Sequence, residues 1–468
     1  MAIEWSGLSP EVPLRVDRAI AVPLRSQLED ALRAAIRGGR LGPGERLPSS
    51  RELARQLGIS RGLVQEAYAQ LGAEGYLAAR VGAATRVAAF DNVPAARSPD
   101  VAPAPDRPAV NFASGLPDLA GFPRSDWLWA LREVSNSAPT SSLDYGDPRG
   151  DAHFREVIAA YLRRVRGADA RAEHVVACAG FAQGLSLALR VLVAEGVRRV
   201  GFEDPGFSER STSIATRSGI RPVPIPVDQL GIRVDALAAS GVAAVVVTPA
   251  HQWPTGVVLA PSRRQELVTW ARATGATIIE DDYDAEFRYD SDPVGAVQGL
   301  APERVITLGT VSKSLAPALR LGWMVCPPDL VPAVVREKSA LDRGSPTLDQ
   351  LALATLLESG RFDRHLRRMR ALYSRRRTAL VEALDLHAPS VRLGGLAAGF
   401  HAVAYLPENR DEAETIAAAR ARSVGLYGMS AHRFDRATSP PALVLGFGNL
   451  DEEHVREGIA KIGDLLES

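Results

Sequence analysis

A proline-rich segment divides this chain into two blocks of different character. Residues 89–108 have no apolar period and carry five prolines, namely Pro94, Pro99, Pro103, Pro105 and Pro108. Neither a helix nor a strand can run through such a segment. The 468 residues also exceed what one core usually organises, which predicts two or three domains. In polyproline II geometry the segment can reach on the order of 60 Å, long enough to cross onto a partner subunit.

A lysine flanked by hydroxyl groups stands out in the C-terminal block. Lys313 lies in the run Gly309–Arg320, together with Thr310, Ser312 and Arg320. A Schiff base to an aldehyde cofactor needs a primary amine that can lose its charge, and hydroxyls with an arginine can hold a phosphate. The run therefore predicts an anchor for pyridoxal phosphate. A solvated lysine on a loop is the alternative.

Two apolar runs in the same block are typical of buried parallel strands, Gly241–Thr248 and Gly275–Glu280. Ligands of an open α/β sheet collect outside the carboxyl ends of its strands. The second run leads into Asp281, Asp282 and Tyr283. A carboxylate there can pair with the protonated pyridine nitrogen of the cofactor, and a tyrosine hydroxyl can reach its phenolic oxygen. An ordinary acidic loop has the same composition.

A glycine turn follows a third strand-like run that begins at His174. Gly180, Phe181 and Ala182 open an amphipathic helix there. The N–H groups at a helix N-terminus bind phosphate, although many glycine turns are plain helix caps.

The order of these motifs resembles the fold type I aminotransferases over most of residues 109–468. Further matching segments are Asn111–Asp118, Tyr145–Gly150, Glu203–Gly206 and Thr248–Gly256. The resemblance implies Lys313 for the Schiff base, Asp281 for the ring nitrogen and Tyr283 for the phenolic oxygen. It implies Ser312 and Arg320 for the phosphate, and Tyr145 for the phosphate of the neighbouring subunit.

Two positions depart from that family. Trp253 stands where these transaminases usually have an asparagine before Pro-Thr-Gly. The run Leu443–Phe447 contains no arginine, although the family usually places there the arginine that binds the substrate carboxylate. Arg433 and Arg436 could replace that arginine, and a surface role is an equal alternative. Both departures weaken a simple transaminase assignment.

The N-terminal block has the pattern of a DNA-binding module. Pro23–Arg37 is an apolar-periodic helix, a second helix opens at Pro48–Leu53 with a serine cap, and a third runs from Arg61 to Gly72 or Gly75. Two helices around the turn at Gly58–Ser60 are a helix-turn-helix signature. Alternation from Tyr76 to Val87 predicts a β-hairpin wing.

This block resembles the GntR-type winged helix, except that its wing tip reads Gly82-Ala83-Ala84-Thr85 in place of Gly-x-Gly-Thr. Between Leu14 and Ala89 twelve arginines face seven acidic residues, a net charge of +5 within a chain of net charge zero. Such a basic head is expected of a duplex-binding module. Four residues at the starts of the second and third helices are the candidate DNA contacts: Ser50, Arg51, Ser60 and Arg61.

Together the two blocks resemble the MocR/GabR family of transcriptional regulators, in which a winged helix precedes an aminotransferase-like domain. The resemblance implies a homodimer with a head-to-tail domain swap that binds operator DNA and pyridoxal phosphate. It implies sensing of a small amino compound, or of the cofactor, by exchange at Lys313 and altered domain closure. A working aminotransferase with an appended DNA-binding head is the alternative, so turnover stays open. A cofactor-free structural DNA-binding protein is disfavoured by Lys313, Asp281, Tyr283 and Arg320.

We expect a winged-helix domain at residues 14–88, a linker at 89–108 and an aminotransferase-like domain at 109–468. Within the last, the large domain should extend to about residue 339 and the small domain from about 340 to 468, with helices at Leu348–Leu357 and Arg364–Leu384. The two cysteines, Cys178 and Cys326, sit beside apolar runs, which favours buried thiols over a disulfide or a metal site. No metal-ligand spacing occurs.

The sequence shows no signal peptide and no long apolar span, so we expect a cytoplasmic, nucleoid-associated protein. The arginine-rich run Arg361–Arg377 is expected to form a solvated helix face, with contact to DNA or to the linker as the alternative.

Overall fold

The computed structural model describes residues 14, 16–78, 84–88, 108–206, 209–284, 286–289, 295–435 and 440–467. The chain divides into two compact units, residues 1–105 and 106–468. Most of the linker and the tip of the wing, along with Arg436, lie outside the described residues. No helix of the described part is long and apolar enough to cross a membrane.

The first unit is a three-helix core with a short hairpin. It contains α1 (Leu24–Arg37), α2 (Ser50–Leu57), α3 (Arg61–Ala73), β1 (Leu77–Ala78) and β2 (Arg86–Val87). The strands are antiparallel, with Leu77 opposite Val87. Leu28, Leu32, Val64 and Leu71 form its apolar core because they recur with helical spacing on facing helices. The predicted helix-turn-helix and hairpin are confirmed.

The second unit is larger and mixes helices with two main sheets. Its elements in chain order are β3 (Val110–Asn111), α4 (Arg124–Ser137), α5 (Ala152–Arg166), β4 (Val175–Cys178), α6 (Phe181–Ala194), β5 (Arg199–Asp204), α7 (Glu209–Arg217), β6 (Arg221–Asp228), β7 (Gly231–Ile232), α8 (Val234–Ser240), β8 (Ala244–Val247), α9 (Pro261–Thr274), β9 (Thr277–Asp282), β10 (Val305–Thr310), β11 (Gly322–Val325), α10 (Val331–Asp342), α11 (Thr347–Glu358), α12 (Arg361–His387), β12 (Arg392–Gly394), β13 (His401–Tyr405), α13 (Glu412–Ala421), β14 (Val424–Gly425), β15 (Ala442–Gly446) and α14 (Glu452–Leu466).

The large sheet has the strand order β4-β11-β10-β9-β8-β5-β6-β7. Strands β10, β9, β8, β5 and β6 pair in parallel, while β11 is antiparallel to both of its neighbours and β7 is antiparallel to β6. Helices α6, α7 and α10 pack on one face, and α8 and α9 on the other. Both faces are therefore buried, which is why strands such as β8 and β10 read as continuous apolar runs.

The C-terminal region forms a second layer of strands and helices. β12, β13 and β15 make an antiparallel sheet, and α14 packs along α12. Strand β3 pairs with β14, so the opening segment of this unit joins its C-terminal region. Helix α11, expected in the small domain, packs against α4 and α5. The buried Gln350 in α11 accepts a hydrogen bond from the backbone N–H of Asp151 at 2.9 Å.

The arginine-rich helix α12 is only partly a solvated face. Arg364, Arg367 and Arg375 are exposed, as expected. The expectation is wrong for Arg376, which is 6% exposed and donates to the carbonyl of Gly448 at 2.5 Å and to Asp118 at 3.3 Å. Its charge is balanced inside the protein because α12 packs against the loops that carry these acceptors.

Candidate functional site

Two acidic residues at the end of β9 have different surroundings. Asp281 lies opposite Leu308 in the neighbouring strand β10, and its buried Oδ1 has no hydrogen-bond partner among the described residues. Burial raises the pKa of Asp281 well above its usual range, and the charge of Asp282 adds to this, while Lys313 lowers it. Asp281 therefore has a carboxylate oxygen without a hydrogen-bond partner among the described residues, close enough to Lys313 to feel its charge.

Asp282 is occupied by an arginine from another helix. Arg166, in α5, donates from Nε and Nη2 to the two carboxylate oxygens at 2.8 and 2.9 Å. The two side chains are 3% and 7% exposed. This bidentate pair is an internal ion pair of the protein, which leaves Asp281 as the member of the adjacent pair that can take a ligand.

Lys313 lies three residues beyond the end of β10, on the same edge of the sheet. Its Nζ donates a hydrogen bond to the carbonyl of Gly115. Gly115 has φ +82°, and a Cβ added there would lie 3.3 Å from the amine. The opening segment therefore passes close to Lys313, and a side chain at position 115 would press against the amine.

The hydroxyls beside Lys313 form a compact group with a helix N-terminus opposite. Thr310 Oγ1 and Ser312 Oγ are 2.8 Å apart. Helix α6 begins after Gly180, which has φ 79°, and no side chain caps it. The first N–H groups of the helix, at Phe181 and Ala182, have no partner within the helix for this geometric reason.

Arg320 completes a polar cup that also contains Thr310, Ser312 and the N-terminus of α6. Its Nη2 donates to the carbonyl of Ala179, and a Cβ at Gly180 would come within 3.5 Å of its guanidinium nitrogens. The guanidinium thus lies beside the uncapped N-terminus of α6. A cation and a helix N-terminus together favour an anion.

Tyr283 is held by a histidine from the loop after β8. Its hydroxyl donates to the carbonyl of His251 at 2.9 Å. The imidazole of His251 is itself fixed, because Nδ1 lies 2.7 Å from Asp284 Oδ2 and both side chains are almost fully buried. Sequence reasoning did not find this His251–Asp284 pair, since each residue alone looks like an ordinary polar residue.

An aromatic wall is formed by Trp253 and three rings near it, those of His401, His432 and Tyr283. The Trp253 ring lies 4.8 Å from His401, 5.3 Å from His432 and 6.4 Å from Tyr283, centroid to centroid. Burial lowers the pKa of His432 to about 4. Burial, followed by the charge of His251, lowers the pKa of His401 well below its usual range. Both imidazoles are therefore neutral at neutral pH, and neither was singled out from the sequence.

Two further predicted site residues are Tyr145 and Arg433. Tyr145 is 68% exposed, and the guanidinium of Arg343 lies 4.4 Å from its ring centroid. Arg433 lies near Asp204 at the end of β5. Burial raises the pKa of Asp204, and the charge of Arg433 lowers it. The buried Nε of Arg433 has no hydrogen-bond partner among the described residues.

The residues of the cluster fit pyridoxal phosphate. The unpartnered buried oxygen of Asp281 can accept a hydrogen bond from the protonated ring nitrogen, and Lys313 is a partly buried primary amine. The uncapped start of α6, with Arg320 beside it, has the donors that a phosphate needs.

In the first unit, the candidate DNA contacts lie at the starts of α2 and α3. Ser60 caps α3 by accepting from the N–H of Leu63 at 3.3 Å. Ser49, not Ser50, caps α2. Arg51 and Arg61 are exposed, and Arg61 Nε donates to Ser50 Oγ at 3.4 Å. Both arginines are thus accessible to solvent at the starts of α2 and α3.

Comparison with known proteins supports both units. Residues 107–459 match the family described as aminotransferase class I and II, and residues 24–87 match the bacterial regulatory proteins of the gntR family. The HTH-type pyridoxine biosynthesis transcriptional regulator PdxR of Corynebacterium glutamicum is 34% identical over 466 residues, which cover 97% of this chain and 99% of that protein. The probable rhizopine catabolism regulatory protein MocR of Rhizobium meliloti is 34% identical, covering 95% and 94% of the two chains.

Among solved structures, the multiple substrate aminotransferase of Thermococcus profundus superposes with a TM-score of 0.70 at 26% identity. The match covers 76% of this chain and 91% of that one. The covered share is close to the share of the chain that lies in the second unit, residues 106–468.

Proposed function

We propose that this chain, a member of the MocR-type helix-turn-helix transcriptional regulators, senses a small amino compound or its own cofactor and changes its binding to DNA in response. Its gntR-family head and its aminotransferase class I and II domain place it in that family. The head binds DNA, and the second unit has the fold that binds pyridoxal phosphate. As a DNA-binding regulator it would act on the nucleoid. The effector and the homodimer are the proposed parts.

The main support for the cofactor site is the buried oxygen of Asp281, which has no hydrogen-bond partner among the described residues and is influenced by the charge of Lys313. When bound, pyridoxal phosphate supplies an aldehyde that condenses with primary amines and a ring that acts as an electron sink. In the proposed site Lys313 would provide the amine, Asp281 would keep a proton at the ring nitrogen, and Tyr283 would reach the phenolic oxygen.

The phosphate end of the site is assigned to the cup around α6. Ser312 and Thr310 offer hydroxyls, Arg320 offers its guanidinium, and the backbone of Gly180, Phe181 and Ala182 offers N–H groups. Tyr145 is exposed, and we propose that it completes the corresponding site of the partner subunit in a homodimer with exchanged heads.

The wall of the site favours sensing over turnover. Strand β15 carries no arginine. The ring of Trp253 lies beside Tyr283 and contacts the neutral imidazoles of His401 and His432. These three rings themselves provide no fixed positive charge for a substrate carboxylate, unlike an arginine in β15. Arg433 is the proposed carboxylate ligand of an amino-acid effector. A working aminotransferase is the second candidate, because Lys313 and Asp281 have the arrangement that this chemistry uses.

For DNA we propose that Arg51 and Arg61, with Ser50 and Ser60, contact phosphates and base edges. Both arginines are exposed on the helix-turn-helix, and the head carries a net positive charge.

The test is a binding experiment with the full chain and its own upstream DNA. Operator affinity is measured with and without candidate amines, and keto-acid production is followed in the same samples. A change in affinity without sustained keto acid supports the sensor. Sustained turnover of an amine that leaves operator binding unchanged would overturn it in favour of the aminotransferase.

A further inference from the structure

A lysine with no exposed surface lies in α10, the helix that packs against α6. Lys338, in α10, is 0% exposed, and a buried ammonium group is rare unless it is paired. Its Nζ donates to Asp342 Oδ2 at 2.8 Å and to Ser345 Oγ at 3.0 Å. None of the cofactor contacts described above uses this pair.

Gln183 connects the pair to the phosphate cup. Its Nε2 donates to Asp342 Oδ2 at 2.6 Å, and its Oε1 accepts from the backbone N–H of Ala179 at 2.7 Å. Ala179 precedes Gly180, and its carbonyl accepts from Arg320. The two backbone groups of Ala179 are thus fixed from two sides, by Gln183 and by Arg320.

The buried Lys338 lies close to the phosphate cup, as its effect on a nearby thiol shows. Burial raises the pKa of the Cys178 thiol to about 12, and the charges of Lys338 and Arg320 act against this rise. Both cations therefore lie near the end of β4, beside Gly180. Burial also acts to raise the pKa of Asp342, but hydrogen bonds from Lys338, Gly344 and Gln183 lower it overall, so its carboxylate is charged at neutral pH.

We propose that Asp342, held by Lys338, is a positioning residue for the phosphate end of the cofactor and acts through Gln183 on the backbone of Ala179 and Gly180. The inference rests on the proposed function, because it requires a phosphate at the N-terminus of α6. A rotation of the Ala179–Gly180 backbone redirects the first N–H groups of that helix. Loss of Asp342 therefore weakens the phosphate contacts and leaves the ring contacts at Asp281 and Tyr283 in place.

The experiment compares two ligands of the full chain that differ only in the phosphate, pyridoxal phosphate and pyridoxal. Asp342→Asn and Gln183→Met should each bind pyridoxal phosphate about tenfold more weakly than wild type, with the dissociation constant for pyridoxal unchanged. The double variant should be no weaker than the weaker single variant, because both act through one hydrogen bond.

Two further variants control for the loss of a charge pair. Lys338→Met should weaken pyridoxal phosphate binding in the same direction as Asp342→Asn. Lys461→Met removes an exposed pair at the same i,i+4 spacing, Lys461 with Glu457 in α14 at 2.7 Å, and should leave both dissociation constants unchanged.

The outcomes separate this inference from the proposed function. An equal loss of affinity for both ligands in Asp342→Asn and Gln183→Met would overturn the positioning role, since general destabilisation affects both. Unchanged affinity for pyridoxal phosphate in these variants would overturn it as well, with the proposed function intact. A wild-type protein that binds no pyridoxal phosphate would overturn both.

Discussion

Arg166 donates two hydrogen bonds to Asp282, at 2.8 and 2.9 Å, from a helix 116 residues earlier in the chain. The pair neutralises one of two adjacent aspartates in a buried setting. Asp281, the other, keeps an unpartnered oxygen. Two carboxylates next to each other in sequence therefore have different surroundings, and substitutions can test whether their roles differ as well.

Asp281→Asn should leave the cofactor bound but change its absorption spectrum and slow its exchange with added amines, because the ring nitrogen loses its counter-charge. Asp282→Asn should leave the spectrum nearly unchanged and lower the free energy of unfolding by about 3 kcal/mol, because Arg166 loses its partner in a buried site. Absorbance titrations and urea unfolding measure the two effects. The assignment is wrong if the spectral change follows Asp282.

Lys313→Ala should abolish the cofactor that borohydride can fix to the chain, because only a primary amine at that place forms the bond that borohydride reduces. Mass spectrometry of the reduced protein measures the adduct. Lys461→Ala is the matched control, since Lys461 is an exposed lysine of α14. A reduced adduct that persists at full yield in Lys313→Ala would show that another amine holds the cofactor.

Glu203→Gln should change how stability depends on pH. Burial raises the pKa of Glu203 to about 7, above its ordinary value of 4.5. The folded protein therefore retains a proton that the unfolded chain releases, and stability is lost as the pH rises from the unfolded pKa through the folded one. The free energy of unfolding of wild type relative to Glu203→Gln should fall by about 3 kcal/mol between pH 4.5 and 8. A pH-independent difference in unfolding free energy contradicts the assignment.

Arg61→Ala should reduce discrimination between operator and unrelated DNA by about 1 to 3 kcal/mol if the side chain reads a guanine. Titrations at several salt concentrations measure both affinity and salt slope. Arg33→Ala is a suitable control, since Arg33 in α1 is bonded to Glu74 and Asp30. Equal weakening on all sequences, with a lower salt slope, would make Arg61 a phosphate contact.

The true effector should change operator affinity by a coupling free energy of about 1 to 3 kcal/mol, because allostery requires different affinities for two states. The reciprocal effect, of operator DNA on effector affinity, should have the same size. Isothermal titrations in both directions test this equality. Lys313→Ala should lose the coupling while its head still binds DNA.

The local elements of this chain were readable from the sequence. The first helix, expected at Pro23–Arg37, is observed at Leu24–Arg37, because its apolar period and following glycines mark both ends. The strand expected within Gly241–Thr248 is shorter, Ala244–Val247, since the glycine belongs to the preceding turn. Lys313 and Asp281 were predicted as site residues because cofactor chemistry demands their residue types at strand ends.

Contacts between distant residues were not readable. The Arg166–Asp282 pair, the His251–Asp284 pair and the buried side of α12 each join segments that only tertiary packing brings together. A lone arginine or histidine carries no mark of its partner in the sequence. Lys338 has the same property, because a lysine in an amphipathic helix is usually exposed.

The complete burial of Lys338 also affects the amine chemistry of the whole molecule. The chain has three lysines, Lys313, Lys338 and Lys461; Lys338 has no exposed surface, and Lys461 is paired with Glu457. An aldehyde reacts with uncharged, accessible amines, so a chain whose basic residues are nearly all arginine offers it few competing targets. Reagents that modify lysine should therefore label Lys313 and Lys461 almost alone among side chains, which makes occupancy of Lys313 measurable as protection from labelling in the intact regulator.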